Sequence, residues 1–160
     1  MSLAFFPLLA VLAGIGSDRL PDRFPLFPTM GNEGASGMVL LQQPWSPYGV
    51  SVDEHGRVLY DLRIVLEGIP KVAGEVYRVW LTTPTLTDVE YVGQLEVDGE
   101  LGAESSHQQL MVVVSRESAD GPDSRAAGAK WSGPIILRGF SAGARVTPLA
   151  QHSLFQPSPM

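Results

Sequence analysis

Between residues 58 and 139 short apolar runs alternate with turn-forming residues, and this rhythm commits the chain to β-strands. Val58 to Glu67 shows it best: Tyr60, Leu62, Ile64 and Leu66 fall on one side, and Asp61, Arg63 and Glu67 on the other. A period of two sends successive side chains to opposite faces of a strand, so one face is buried and the other wet. Val76-Tyr77-Arg78-Val79-Trp80-Leu81, Leu110-Met111-Val112-Val113-Val114 and Pro134-Ile135-Ile136-Leu137-Arg138 form the centre of the series. None of these runs carries a usable catalytic group.

The predicted strands are Met38 to Gln43, Val58 to Glu67, Val76 to Thr83, Tyr91 to Val97, Gln109 to Ser115 and Ile135 to Arg138, with Arg145-Val146-Thr147 as a last candidate. Glu54-His55-Gly56-Arg57 reads as a hairpin turn, Gly68-Ile69-Pro70 as a break, and Asp98-Gly99 as a turn pair. No amphipathic helix follows residue 20. Short strands at such intervals predict an all-β fold, an antiparallel Ig-like β-sandwich over residues 38–147. A short apolar helix (1–16) and an extended linker (17–37) precede it, and an extended tail (148–160) follows.

The linker assignment rests on Pro21, Pro25, Pro28, Gly31, Gly34 and Gly37, because proline removes donors and restricts the backbone. Phe24, Leu26 and Phe27 lie among them. They lie along a neighbour or pack on their own domain.

Leu3 to Gly16 is a run of 14 residues without a charge. As a helix it spans roughly 21 Å at about 1.5 Å per residue, short of a hydrocarbon core about 30 Å thick. It reads as a retained anchor using Phe5, Phe6, Leu8, Leu9, Val11 and Leu12, as a secretory signal cleaved after Gly14-Ile15-Gly16, or as a buried helix. Arg19 and Arg23 follow it, but each sits beside an aspartate and carries little weight for orientation.

Composition narrows the partners. A net charge of −6 with 11 scattered Lys and Arg argues against nucleic acid. Charged residues make up 18% and hydrophobic residues 44%; globular chains average about a quarter charged. That balance suits a chain that buries surface against a partner or bilayer, and a well-filled core also produces it. With no cysteine there is no disulfide, thiolate metal site or cysteine lipidation.

Glu67-Gly68-Ile69-Pro70, Val76 to Leu81, Val92-Gly93-Gln94-Leu95, Val113-Val114-Ser115-Arg116-Glu117-Ser118-Ala119-Asp120-Gly121 and Gly133-Pro134-Ile135-Ile136-Leu137 occur in that order. The series resembles the extracytoplasmic C-terminal domain of the anti-sigma-K factor family over roughly residues 58–139. The resemblance implies a domain outside the cytoplasm. The family's sigma-binding region and transmembrane helix have no counterpart in the residues ahead of the first predicted strand, so what is implied is the outer module alone, put to another use.

Candidate chemistry is sparse. Gly139-Phe140-Ser141-Ala142-Gly143 matches G-x-S-x-G, but no Asp or Glu follows Ser141, and Pro148 comes too soon for the helix the motif needs. His55, His107 and His152 fall in turn, loop and tail, and no cysteine completes a blue-copper set. Glu117, Asp120 and Asp123 share a loop, without EF-hand spacing. No catalytic, metal or cofactor-binding residue is expected. Trp80 reads as core. Trp45 and Trp131, with Phe24 and Phe27, read as interface anchors, since aromatics dominate contact hot spots; the alternative for Trp45 and Trp131 is packing on their own domain.

The expected function is a non-catalytic accessory or structural subunit of a larger membrane complex. It would contact integral membrane subunits and the membrane surface on the extracytoplasmic (periplasmic) face of a bacterial membrane. A bioenergetic or photosynthetic assembly is a natural host. The alternative is a secreted or surface-held β-sandwich binding module.

Overall fold

A computed structural model describes residues 22–47, 50–107 and 109–141. It contains eight strands: β1 (Asp22–Pro28), β2 (Ser36–Gln42), β3 (Tyr60–Glu67), β4 (Glu75–Thr82), β5 (Val89–Leu95), β6 (Gly99–Ser105), β7 (Met111–Ser118) and β8 (Ile135–Phe140). They form one sheet in the order β5-β4-β7-β8-β1-β2-β3-β6, and every neighbouring pair is antiparallel. The sheet curls nearly into a barrel, with its two edge strands, β5 and β6, approaching each other. Among the described residues there is no helix, and so none long and apolar enough to cross a membrane. The apolar segment with Phe5, Phe6, Leu8, Leu9, Val11 and Leu12, the candidate strand at 145–147 and the tail lie outside the described residues.

Alternation builds the interior. Phe24 and Leu26 of β1, Val39 and Leu41 of β2, and Leu62, Ile64 and Leu66 of β3 point inward. Tyr77, Val79 and Leu81 of β4 and Val112 and Val114 of β7 meet them. Each removes most of its apolar surface from water, at about 25 cal/mol per Å².

Two strands were not anticipated. β1 falls inside the predicted linker, because Pro25 and Pro28 disqualify a segment by the usual rule for sheets. Here β1 pairs with β2 from Asp22 to Leu26 and then with β8 at Phe27 and Pro28. Pro25 precedes the β8 pairing, so its missing N–H falls beside that short ladder rather than within it. β6, Gly-Glu-Leu-Gly-Ala-Glu-Ser, has small residues at three of its four inward positions, Gly99, Ala103 and Ser105, which weakens the apolar signal. Leu101 and Ala103 nevertheless pack against the core.

The antiparallel order sorts the loops to two ends. Asp22 lies opposite Leu41, Gln42 opposite Asp61, and Tyr60 opposite Ser105. Thr82 lies opposite both Val89 and Met111, and Met111 opposite Phe140. One end, the near end, therefore holds the entry to β1, the 43–59 loop, the 83–88 loop, the 106–110 loop and the exit from β8. The far end holds the connections β1–β2, β3–β4, β5–β6 and β7–β8.

The far-end loops are tied together at Gly68. Its φ is +71°, and a Cβ there would fall 2.0 Å from the Gly34 carbonyl oxygen. The next residue, Ile69, donates its N–H to Asp98 Oδ1 at 2.6 Å, and the Tyr77 hydroxyl donates to the Pro70 carbonyl at 2.7 Å. Gly68→Ala should destabilise by about 1–3 kcal/mol through left-handed strain alone, and by more through the contact with Gly34. Gly56→Ala, at a φ of +76° with open space around it, should incur the strain only. Urea denaturation of the two variants separates the terms.

Candidate interaction surfaces

The outer face of β4 and β7 is covered, not wet. Trp80 of β4 and Met111 and Val113 of β7 form a second apolar cluster outside the barrel. The 119–134 segment and the start of β5 lie over it, contributing Ala129, Trp131, Val89 and Tyr91. Tyr91 meets Trp80 edge-on at 5.3 Å between ring centroids, and Trp131 does so at 6.4 Å. Such pairs are worth about 0.5–1.5 kcal/mol each beyond area burial.

A polar network continues the same face. Trp80 Nε1 donates to Ser115 Oγ at 3.0 Å, and Ser115 Oγ donates to Glu117 Oε1 at 2.5 Å. The other carboxylate oxygen of Glu117 accepts from Arg78 Nη1 at 3.0 Å and Ser132 Oγ at 2.9 Å. Arg78 Nη1 also donates to the Pro122 carbonyl at 2.9 Å. The Arg78 and Glu117 side chains are 6% and 2% exposed. Buried charges persist when paired and hydrogen-bonded, and here they pin the 119–134 segment down. The Glu117 carboxylate is therefore engaged by Arg78, Ser115 and Ser132 and buried. Among the described residues no group of three His, Asp or Glu is placed to hold a metal ion.

Ser141 is 1% exposed. Its Oγ accepts the Leu110 N–H at 3.1 Å, and its own N–H donates to the Leu110 carbonyl at 3.0 Å. Gly139 is required for packing: a Cβ there would lie 2.4 Å from the Pro25 carbonyl oxygen. These contacts account structurally for the described part of the G-x-S-x-G pattern, and the hydroxyl is held inside.

The four aromatic residues singled out as contacts are not brought together. Phe24 is 1% exposed and belongs to the inner core, so it is unavailable at the surface; the alternation of β1 points it inward. Trp131 is half-buried against Trp80. Phe27, 58% exposed, stands toward the far end of β1, and Trp45, 86% exposed, on the near-end loop after β2.

Exposed apolar side chains that sequence reasoning missed fall into the same two groups. Val50 and Val52 join Trp45 at the near end, Met30 and Val97 join Phe27 at the far end, and Met38 stands between. The available signal was an apolar residue inside a turn cluster, as in Thr29-Met30-Gly31-Asn32 and Val97-Asp98-Gly99.

The near-end loop is stiffened by a hairpin. Val52 bridges Val58, and the Asp53 N–H donates to the Arg57 carbonyl at 2.8 Å. The Asp53 side chain is 14% exposed. Desolvation pushes its carboxyl up, but the N–H groups of Arg57 and His55 and the Arg57 guanidinium more than reverse this and hold it at about 2. A groove of about 410 Å³ runs beside the hairpin, lined by Arg57, Asp88, Glu90, His107 and Lys130 among others. Its mixed charges favour no one ligand sign.

Comparison of the chain with known protein families, characterised proteins and solved structures found no match.

Glu117→Ala should lower stability by about 3–5 kcal/mol, because it strands the Arg78 guanidinium. Arg78→Met combined with Glu117→Leu should cost less than the single change, as read by chemical denaturation. Asp53 supplies the pH dependence of the hairpin. Its carboxyl titrates lower when folded, so the stabilisation is complete above the unfolded value of about 3.9. It should fade as pH falls toward about 2. Amide shifts of His55 and Arg57 through that window check this, and Asp53→Asn should abolish the transition.

Proposed function

We propose that this chain is a non-catalytic accessory subunit of a larger membrane protein complex, bridging neighbouring subunits on the extracytoplasmic face. The observation that carries the reading is the distribution of exposed apolar side chains. Trp45, Val50 and Val52 lie at one end of the curled sheet, and Phe27, Met30 and Val97 at the other. A protein that touches one neighbour needs one such patch, whereas a bridging protein needs two, held at a set distance by a rigid body. Large apolar side chains left exposed at each end are candidates for such contacts.

Two further features support it. The uncharged run Leu3 to Gly16 leads into β1 after five residues, Ser17 to Pro21, which suits a retained anchor engaging integral membrane subunits or the bilayer. The resemblance to the outer domain of anti-sigma-K factors favours the periplasmic side of a bacterial membrane. In this reading the sheet works as an opened Ig-like sandwich. The ladder β1-β2-β3-β6 faces the ladder β5-β4-β7-β8, and β1 is the hinge between them.

The full-length protein should sediment with membranes from its native source, and a version beginning at Ser17 should not. Retention of the shortened version in the membrane fraction, or a natural amino terminus at Ser17, would defeat the anchor reading. The latter outcome would favour a secreted binding module instead.

A further inference from the structure

We infer that the near end of the barrel stands on the lipid bilayer and that Trp45 enters the boundary between headgroups and acyl chains. The inference rests on the proposed anchoring role of residues 3–16 and deepens it by assigning an orientation.

Strand direction carries the first step. β1 begins at Asp22, and the register Asp22↔Leu41 places that entry beside the end of β2. The five residues from Ser17 to Pro21 reach at most about 17 Å when extended, at roughly 3.3 Å per residue. The end of the Leu3 to Gly16 run that joins this tether is therefore held within that distance of the near end.

The chemistry of that end carries the second step. Trp45 follows β2 by three residues and is 86% exposed, the most exposed of the large apolar side chains among the described residues. Pro44 and Pro47 flank it and restrict the loop backbone. An indole is suited to the membrane–water boundary, since its ring is apolar and its N–H seeks a polar partner. Val50 and Val52, 46% and 52% exposed, stand on the same loop. At the hairpin tip Arg57 Nε lies 2.7 Å from Asp53 Oδ2, and the Glu54 carboxylate, with its side chain 87% exposed, stays in water at the headgroup level, so no lone ion has to be buried. The chain's net charge of −6 weighs against attraction to anionic lipid and leaves apolar contact as the source of affinity. The occupant is thus the zwitterionic bilayer surface.

Tryptophan placement makes this measurable. Trp80 is 1% exposed and Trp131 is half-buried against it, so the part of the quenching that disappears in Trp45→Phe reports Trp45. Full-length protein is mixed with phosphatidylcholine vesicles carrying bromine on the acyl chains, floated, and its indole emission recorded. Co-flotation with a blue shift and partial quenching, both lost in Trp45→Phe while flotation persists, is the expected result. Flotation without quenching would overturn the orientation and leave the anchor reading intact. Absence of flotation would overturn the lipid contact, and sedimentation of the full-length and shortened forms with native membranes then decides the anchor reading separately. Trp45→Asp should weaken flotation several-fold; unchanged flotation of that variant would show that the loop does not touch lipid.

Discussion

The fold depends on β1. This strand gives one edge to β2 and then, over its last two residues, the other to β8. Without it β2-β3-β6 and β5-β4-β7-β8 would share no hydrogen-bonded neighbour. Its two inward side chains, Phe24 and Leu26, also fill the interior between those ladders. Backbone pairing and apolar burial thus coincide in one seven-residue element. Because that element is also where the amino-terminal run enters the sheet, it decides which end of the barrel such a run can serve.

The other side of the molecule solves a different problem. β4 and β7 bury both faces, so their outward residues need a cover that the barrel cannot supply. The 119–134 segment is that cover, and ordering it costs conformational entropy. Stacking of Trp131 and Tyr91 on Trp80 offsets part of the cost, and the Arg78–Glu117 network fixes the register of the segment. At the seam, β5 and β6 meet through side chains: positions 93 and 99 are glycine where Leu101 and Leu95 pack closely. Glu100 and Glu104 stand exposed on β6, a placement that discourages another strand from adding to that edge.

Much of the fold was legible because six strands carry strong apolar signals. Val58 to Glu67 alternates cleanly, and the β4, β7 and β8 runs are too apolar to be loops. The two missed strands failed for stated reasons. Prolines hid β1, since local rules cannot know that one edge of a strand pairs over only two residues. Small and glycine residues hid β6, whose inward face needs little bulk beside Leu95 and Gly93. The contact residues were less legible. Phe24 and Phe27 look alike in a proline-rich stretch, yet a strand separates them to opposite faces. Trp131 looked free because its partner, Trp80, is 51 positions away in the chain.

The sequence by itself determined an all-β chain, the places where most strands and turns fall, and the uncharged character of its first residues. These are local properties, set by side-chain period, turn chemistry and the absence of charge. The tertiary structure alone decided that the strands form one curled antiparallel sheet, that β4 and β7 need an outer cover, and that most of the exposed apolar groups among the described residues fall in the end loops, with Met38 between. Pairing partners and burial depend on residues distant in the chain, and no local pattern encodes which of two similar aromatics will find a neighbour.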